Sequence, residues 1–114
     1  MSFKPDLIFH VVSRRKWRDL YTNGFYKSED FSETQIVECV TAEELNSYLN
    51  KNFQGRKNLL ILVIDVFRLS NRYSRNEESG RVVVEGGVNG DAILDKIRID
   101  CNQDGEFDIE VDNG

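Results

Sequence analysis

The most apolar window of the chain is the run from Leu59 to Asp65, which holds six consecutive aliphatic residues before its aspartate. Periodicity alone does not distinguish a buried strand from a buried helix in so short a run. Its β-branched residues Ile61, Val63 and Ile64 favour a strand, and the run is far too short to span a bilayer. We therefore expect an interior strand over residues 59–66, covered on both faces.

Two other segments have the pattern of amphipathic helices. Apolar residues at i, i+3 and i+4, beginning with Trp17, predict a helix over residues 14–22. A capping box that begins at Thr41 precedes a second predicted helix, over residues 42–53. Both helices should pack their apolar stripes against the sheet.

Shorter apolar or alternating runs predict the remaining strands. They cover residues 7–12, 25–27, 36–40 and 81–85, and residues 28–35 and 70–80 are predicted to be polar loops. Residues 93–114 give the clearest hairpin pattern, because apolar and charged residues alternate on both sides of the polar turn 102–105. Together these elements predict a single α+β domain over residues 1–114, with 39% hydrophobic residues for one modest core.

The negative charge is concentrated near the C-terminus. The net charge is −5, and removing the six acidic residues from position 100 onward leaves 14 acidic against 15 basic residues. The acidic residues of this segment are Asp100, Asp104, Glu106, Asp108, Glu110 and Asp112. The sequence pI of about 4.9 therefore does not exclude an anionic ligand elsewhere.

The cysteine content and the first apolar run indicate the compartment. The two cysteines, Cys39 and Cys101, do not make a disulfide framework, and reduced thiols are typical of the cytoplasm. His10 interrupts the apolar run 7–12, which is therefore unlike a signal peptide. We expect a cytoplasmic protein that does not associate with membranes.

Local motifs suggest several sites, each with a plain structural alternative. Residues 100–105 copy the first half of a calcium loop, but Val111 stands where the bidentate glutamate belongs, and a β-turn uses the same residues. The basic turn 14–18 fits either a phosphate site or a solvated face. Bases around Tyr73 are weak evidence for nucleic-acid binding, which we do not expect. One histidine and two distant cysteines predict no metal site.

Several short stretches between Leu7 and Ile99 form a pattern that covers most of the chain. These stretches are Ile8-Phe9-His10-Val11, Trp17, Gly24-Phe25-Tyr26, Val37-Glu38-Cys39-Val40-Thr41, Phe53-Gln54-Gly55-Arg56, Leu60 to Asp65 with Arg68-Leu69, and Gly86 with Asp91-Ala92-Ile93. In this pattern the chain resembles the small bacterial proteins of the domain of unknown function 952 family.

This resemblance implies an ADP-ribosyltransferase-like fold, a small, strongly curved, split mixed or antiparallel sheet with two helices and an NAD-type cleft. It also implies a site of three histidines, of which this chain keeps only His10. Glu38 stands at the second position and Val83 at the third, with Glu85 at a neighbouring tyrosine position. A carboxylate can act as a base or hold a ribose hydroxyl, whereas valine can do neither.

Two functions follow from the resemblance. The first is a ligand-binding or sensing module with a degenerate catalytic site, whose ligand is a small molecule or nucleotide. The second is an NAD-dependent group transferase in which His10 acts with Glu38 or Glu85. In either case we expect Tyr26 and Thr41 to line one cleft with His10 and Glu38. Trp17 should pack behind that cleft.

Overall fold

The computed structural model of the protein describes residues 6–29, 31–76 and 78–111. Nine strands lie within these ranges: Leu7–Ser13 (β1), Tyr21–Thr22 (β2), Phe25–Tyr26 (β3), Ile36–Val40 (β4), Leu59–Asp65 (β5), Tyr73–Asn76 (β6), Arg81–Glu85 (β7), Val88–Asn89 (β8) and Ile93–Ile99 (β9). The same ranges contain three α-helices, Trp17–Leu20 (α1), Phe31–Thr34 (α2) and Leu45–Asn52 (α3), and two 3₁₀ turns, Val66–Arg68 and Gly90–Ala92.

A six-stranded sheet in the order β6-β7-β4-β1-β5-β9 forms the centre of this small, compact α+β fold. All of its neighbouring strands are antiparallel, so the sheet is not mixed. The prediction for β5 is confirmed, because it lies between β1 and β9 and all seven of its residues are buried. The strand ends at Asp65, whose carboxylate accepts a hydrogen bond from the Phe67 amide at 3.0 Å.

The two faces of this sheet have different covers. On one face, which we call the small-sheet face, Ile8 and Val12 pack with Tyr26 and Val88 from the three-stranded sheet β2-β3-β8. On the other, the α3 face, Phe9 and Val11 belong to a cluster with apolar residues of α3 and of the C-terminal segment. Both faces of β1 and β5 are therefore buried, as their apolar composition requires.

The predicted helix over residues 14–22 is wrong in its extent. Only Trp17–Leu20 is helical, and the chain enters β2 at Tyr21, which pairs with Tyr26. The basic residues before Trp17 form turns rather than helix. Positive charge at the beginning of a helix is unfavourable, which agrees with the late start of α1.

The second predicted helix exists but begins later. Residues 42–44 form turns, α3 begins at Leu45, and no side-chain hydrogen bond caps it, so the predicted capping box does not form. Its apolar stripe is correct, since Leu45 and Leu49 are fully buried. The predicted loops are wrong in part, because 28–35 contains α2 and 70–80 contains β6, the exposed edge strand of the sheet.

The predicted hairpin over residues 93–114 is also wrong. After β9, residues 100–111 form no strand, and residues 112–114 lie outside the described part of the chain. Gly105 adopts a positive φ of 81°, and its carbonyl oxygen accepts a hydrogen bond from the Gly55 amide at 2.7 Å. This turn directs the chain towards α3 instead of back along β9.

Two asparagines of α3 hold the C-terminal segment. The Asn50 side chain accepts from the Phe107 amide at 2.7 Å and donates to the Phe107 carbonyl oxygen at 3.0 Å. Asn46 makes the same two bonds to the backbone of Ile109, at 2.7 and 2.8 Å. Phe107 is buried in the core beneath them. The alternating residues therefore do cover the core, but side chains of a helix replace the expected strand partner.

Candidate functional site

His10 lies on β1 with its ring buried on the small-sheet face. Its Nδ1 is 2.7 Å from the main-chain carbonyl oxygen of Glu38, and its Nε2 is 2.7 Å from the Tyr26 hydroxyl. A carbonyl oxygen only accepts hydrogen bonds, so Nδ1 carries a proton and donates it to this bond. In the neutral ring Nε2 then accepts from the Tyr26 hydroxyl, and both nitrogens are fixed in orientation.

The His10 ring lies where the sheet opens. β1 pairs with β5 at seven positions, whereas its pairing with β4 in the described structure is a single bridge, Phe9 opposite Val40. Beyond that bridge the Glu38 carbonyl oxygen is met by the imidazole. We call this opening between β1 and β4 the seam.

A cavity of about 300 Å³ begins at His10 and follows the second half of β1, and no residue of β4 lines it. We call it the seam cavity, because His10 lies at the seam. That volume is at the lower end of the range for small-molecule sites. Polar and apolar groups both line it: His10, Ser13, Lys16, Tyr26, Ser28, Glu29 and Arg56, with Val11, Val12 and Phe53. The cavity thus has the mixed lining that binds and orients a polar ligand.

Charged side chains mark the rim of the seam cavity. The Lys16 ammonium is 3.0 Å from the Glu29 carboxylate, and both side chains are more than half exposed. The Arg56 guanidinium lies 5.7 Å above the centre of the Phe53 ring, which steadies a side chain that is otherwise exposed. This arrangement can accept an anionic group at Arg56 and a hydroxyl-bearing group at Glu29.

Trp17 lies behind Tyr26 and does not line the seam cavity. The two rings are stacked, with centroids 5.7 Å apart and an interplanar angle of 25°. Trp17 therefore supports the hydroxyl-bearing ring that contacts His10, which is an indirect role.

The prediction that the Glu38 side chain shares a cleft with His10 is wrong. Phe9 and Val40 are opposite each other and so point to the same face, the α3 face. Alternation puts Glu38 on that same face, because it is two residues from Val40. It puts His10 on the small-sheet face, because His10 is one residue from Phe9.

The contacts of the Glu38 carboxylate agree with this placement. It pairs with Arg81, whose guanidinium lies 4.8 Å above the ring of Tyr48 on α3. The pair is partly exposed on both sides. Only the main-chain carbonyl of Glu38 reaches the site, and any residue except one that breaks the strand could supply it.

Two further predicted residues lie elsewhere. Glu85, at the end of β7, lines a separate cavity with Lys27 and Gln35. Thr41 follows β4 and lines another cavity, with Arg75 among its neighbours. Of the predicted site residues, only His10 and Tyr26 line the seam cavity, and neither Glu38 nor Glu85 supplies it with a carboxylate.

Five polar residues of the seam cavity were not predicted as site residues: Ser13, Lys16, Ser28, Glu29 and Arg56. Lys16 and Arg56 were visible, within the basic turn and within a stretch that resembles the family, but neither had a spacing that linked it to His10. Ser28 and Glu29 lie in a polar segment without periodicity. Only the fold could have identified these two residues.

Other chemistry at the site has little support in the structure. In the described part of the chain, no three His, Cys, Asp or Glu side chains form a group that could hold a metal ion. Cys39 is a free, buried cysteine, and burial, with a smaller effect of the nearby Glu38 charge, raises the pKa of its thiol far above the usual range. A thiol that stays protonated is a poor nucleophile.

In the half calcium loop, residues 100–105, a side-chain oxygen binds main-chain amides instead of being free for a cation. The Asn102 side-chain oxygen accepts hydrogen bonds from the amides of Asp104 and Glu106, both at 3.0 Å. A turn forms here, as the plain structural alternative predicted, but it does not join two strands of a hairpin. The absence of calcium binding remains a prediction, for which a calorimetric titration with calcium is the measurement.

Comparison with known proteins shows the fold and nothing more specific. The chain matches no model of a known protein family and no curated protein. A crystal structure of protein CC0527 from Caulobacter crescentus is 18% identical, with a TM-score of 0.72 over 88% of this chain and 91% of that chain. A double mutant of CC0527 gives a TM-score of 0.72 at 17% identity, over 88% and 91% of the two chains. The solution structure of CC0527 gives a TM-score of 0.68 at 19% identity, over 89% of this chain and 90% of that chain.

None of the helices formed by residues 6–29, 31–76 and 78–111 is long and apolar enough to cross a bilayer.

Proposed function

We propose that this protein is a small-molecule binding or sensing module whose ligand occupies the seam cavity. The observation that carries the proposal is the pair of bonds that fixes the His10 ring between the Glu38 carbonyl oxygen and the Tyr26 hydroxyl, at the edge of an open polar cavity. Preorganised polar groups in a cleft are the usual basis of ligand recognition.

The ligand that fits this cavity is a small polar molecule with an anionic group. Arg56 provides positive charge at the rim, and Glu29, which pairs with Lys16, can accept hydrogen bonds from hydroxyl groups. Nucleotides and phosphorylated sugars combine these features, and NAD presents the same groups in a larger molecule. A nucleotide-like ligand also agrees with the resemblance to the domain of unknown function 952 family. We include that family relationship and an ADP-ribosyltransferase-like arrangement in the proposal.

The alternative, an NAD-dependent group transferase, has less support. Its reaction needs a carboxylate near His10, and the Glu38 carboxylate lies on the α3 face while Glu85 lines a different cavity. Glu29 is the carboxylate that lines the seam cavity, so any transfer chemistry would depend on it. A binding role is therefore the better interpretation.

A thermal-shift screen with NAD, nucleotides and phosphorylated sugars tests the proposal. A ligand at about 100 times its Kd should stabilise the protein by about 2.7 kcal/mol, which raises Tm by roughly 10 °C for a domain of this size. Arg56→Gln should weaken binding by tenfold or more, since a charge-assisted hydrogen bond contributes roughly 1.5–3 kcal/mol.

Matched controls separate the seam cavity from general charge effects. Lys57→Gln changes the charge equally at the next residue, which does not line the cavity, and should leave binding unchanged. Glu38→Gln should also leave it unchanged. Equal losses in Arg56→Gln and Lys57→Gln would contradict the proposal. Turnover of NAD that disappears in Glu29→Gln would favour the transferase instead.

A further inference from the structure

A second cavity, of about 710 Å³, lies on the other side of Trp17 from the seam and has a strongly basic lining. Its cations are Arg14, Arg15, Arg18 and Lys96, and Asp19 is the acidic residue that lines it. We call it the basic groove. It shares no lining residue with the seam cavity, so the two are separate sites.

Two distant segments bring these cations together. The Arg14 amide donates to the Asn58 carbonyl oxygen at 2.8 Å, which holds the basic turn 14–18 next to β5. Lys96 comes from β9, and its ammonium lies 5.2 Å from the centre of the Trp17 ring. The cations therefore surround a concavity, whereas a solvated basic face would present them outward from one segment.

The ion pairs of the described residues lie outside the groove. Four cations make them, and none of the four lines the groove: Lys16, Arg68, Arg75 and Arg81. Among residues 6–29, 31–76 and 78–111, no carboxylate comes within 4.0 Å of a cationic group of Arg14, Arg15, Arg18 or Lys96. Like charges that converge in a cleft without such partners raise the local positive potential and attract anions.

The chemistry of the groove favours phosphate. Three of its four cations are arginines, whose planar donors match phosphate oxygens in pairs. The volume is within the range for a ligand of nucleotide size. Trp17 does not offer a free platform for a base, because its ring already stacks on Tyr26 and carries Lys96 above it. Single-stranded nucleic acids depend on such platforms, so the groove suits a small phosphorylated molecule better.

We propose that the basic groove binds a small molecule with two or more linked phosphate groups. Several arginines can then each contact a different phosphate, and a single phosphate would leave part of the convergent charge unused. The proposal is independent of the ligand at the seam.

Calorimetry with inorganic tripolyphosphate is the direct test. We expect saturable binding with Kd below about 1 mM at low salt, weakening as ionic strength rises. Trp17 is the only tryptophan of the chain and lines the groove, so its fluorescence should change with the same Kd. Inorganic phosphate should bind at least about tenfold more weakly, because fewer charge-assisted hydrogen bonds form.

Paired variants locate the site. Arg15→Gln with Arg18→Gln should weaken tripolyphosphate binding by at least about tenfold, since each removes a charged hydrogen-bond donor. Arg68→Gln with Arg72→Gln makes the same change of net charge at exposed residues outside the groove and should leave Kd within about twofold. Arg56→Gln, the seam variant, should also leave Kd unchanged. Circular dichroism melts establish that each variant is folded.

Three results would overturn the proposal. The first is the absence of saturable tripolyphosphate binding to the folded protein. The second is an equal loss in the two double variants, which would show unspecific attraction. The third is tighter binding of single-stranded DNA or of an acidic peptide than of tripolyphosphate, lost on Arg15→Gln with Arg18→Gln, which would assign the groove to a macromolecule.

Discussion

The two flanks of β1 have opposite roles. Towards β5 the strand is paired along its whole length, from Leu7 opposite Asp65 to Ser13 opposite Leu59. Towards β4 it is bridged at Phe9 and Val40, and beyond that point the His10 side chain takes the Glu38 carbonyl oxygen. One flank therefore builds the core and the other leaves an opening with a fixed imidazole. A single strand can supply both stability and a site when its neighbours pair to different extents.

The largest expected effect on stability comes from the flank of β1 that is paired along its whole length with β5. Ile61 is fully buried on β5 opposite Val11, so Ile61→Asp places a charge without a partner in the core, at a cost of several kcal/mol or more. We expect a chain without cooperative unfolding by circular dichroism and without dispersed amide signals by NMR. Ile61→Val, the matched control, should fold and lose about 1 kcal/mol. A cooperative melt of Ile61→Asp near the parent Tm would contradict this role of β5.

A smaller effect on stability is expected at the flank of β1 that faces β4, where His10 lies. Tyr26→Phe removes the hydroxyl that bonds His10 Nε2 while keeping the ring that stacks on Trp17. Loss of a buried hydrogen-bond partner costs about 1–3 kcal/mol, which a urea titration measures as a lower midpoint with an unchanged m-value. Tyr73→Phe removes an exposed hydroxyl from β6 and should change stability by less than about 0.5 kcal/mol. Equal effects of the two variants would mean that the His10 bond contributes nothing to the seam.

The smallest expected effect at neutral pH concerns the Cys39 thiol, whose ionisation makes the stability depend on pH. It tests whether water reaches the core through the seam. Cys39 lies on β4, next to the seam, and burial raises the pKa of its thiol. In the unfolded chain the thiol ionises near pH 9. The buried thiol stays protonated, so its contribution is complete below about pH 9 and is lost as the pH rises further, by up to about 1.4 kcal/mol per pH unit.

Chemical unfolding between pH 7 and pH 10.5 measures this loss. Other groups also titrate in that range, so the comparison is between Cys39→Ala, which should have the flatter profile, and Cys101→Ala, which should keep the parent slope. Parallel profiles for the two variants would show that water reaches Cys39 through the seam.

The sequence-based predictions that the structure confirms depend on the composition of single segments. The aliphatic run of β5 has no reasonable alternative to burial, and the stripe of Leu45 and Leu49 identifies a buried helix face without information from other segments. His10 and Glu38 show where this reasoning stops. Strand alternation correctly predicts that each of the two side chains points away from its neighbours in the chain. Whether they point to the same face of the sheet depends on the register between β1 and β4, which the sequence does not reveal.

The other errors concern partners that only the fold supplies. Tyr21 fits a helical stripe, yet pairing with Tyr26 draws it into a strand. Alternation at Phe107 and Ile109 identifies an extended segment with one buried side, but it does not reveal that helix side chains take the place of a strand. Likewise, the cavity residues Ser28 and Glu29 have no pattern that points to His10.

The way in which Asn46 and Asn50 hold the C-terminal segment determines which substitutions that segment tolerates. Both asparagines bind main-chain amides and carbonyls, so the recognition is blind to the side chains at the exposed positions 108 and 110. Almost any residue should be accepted there in a saturation scan. Proline at 107 or 109 is the exception, because it has no amide hydrogen to donate to the asparagine. The mutational profile of this segment should therefore record backbone chemistry at positions 107 and 109, and packing at the buried Phe107 and the partly buried Ile109 and Val111.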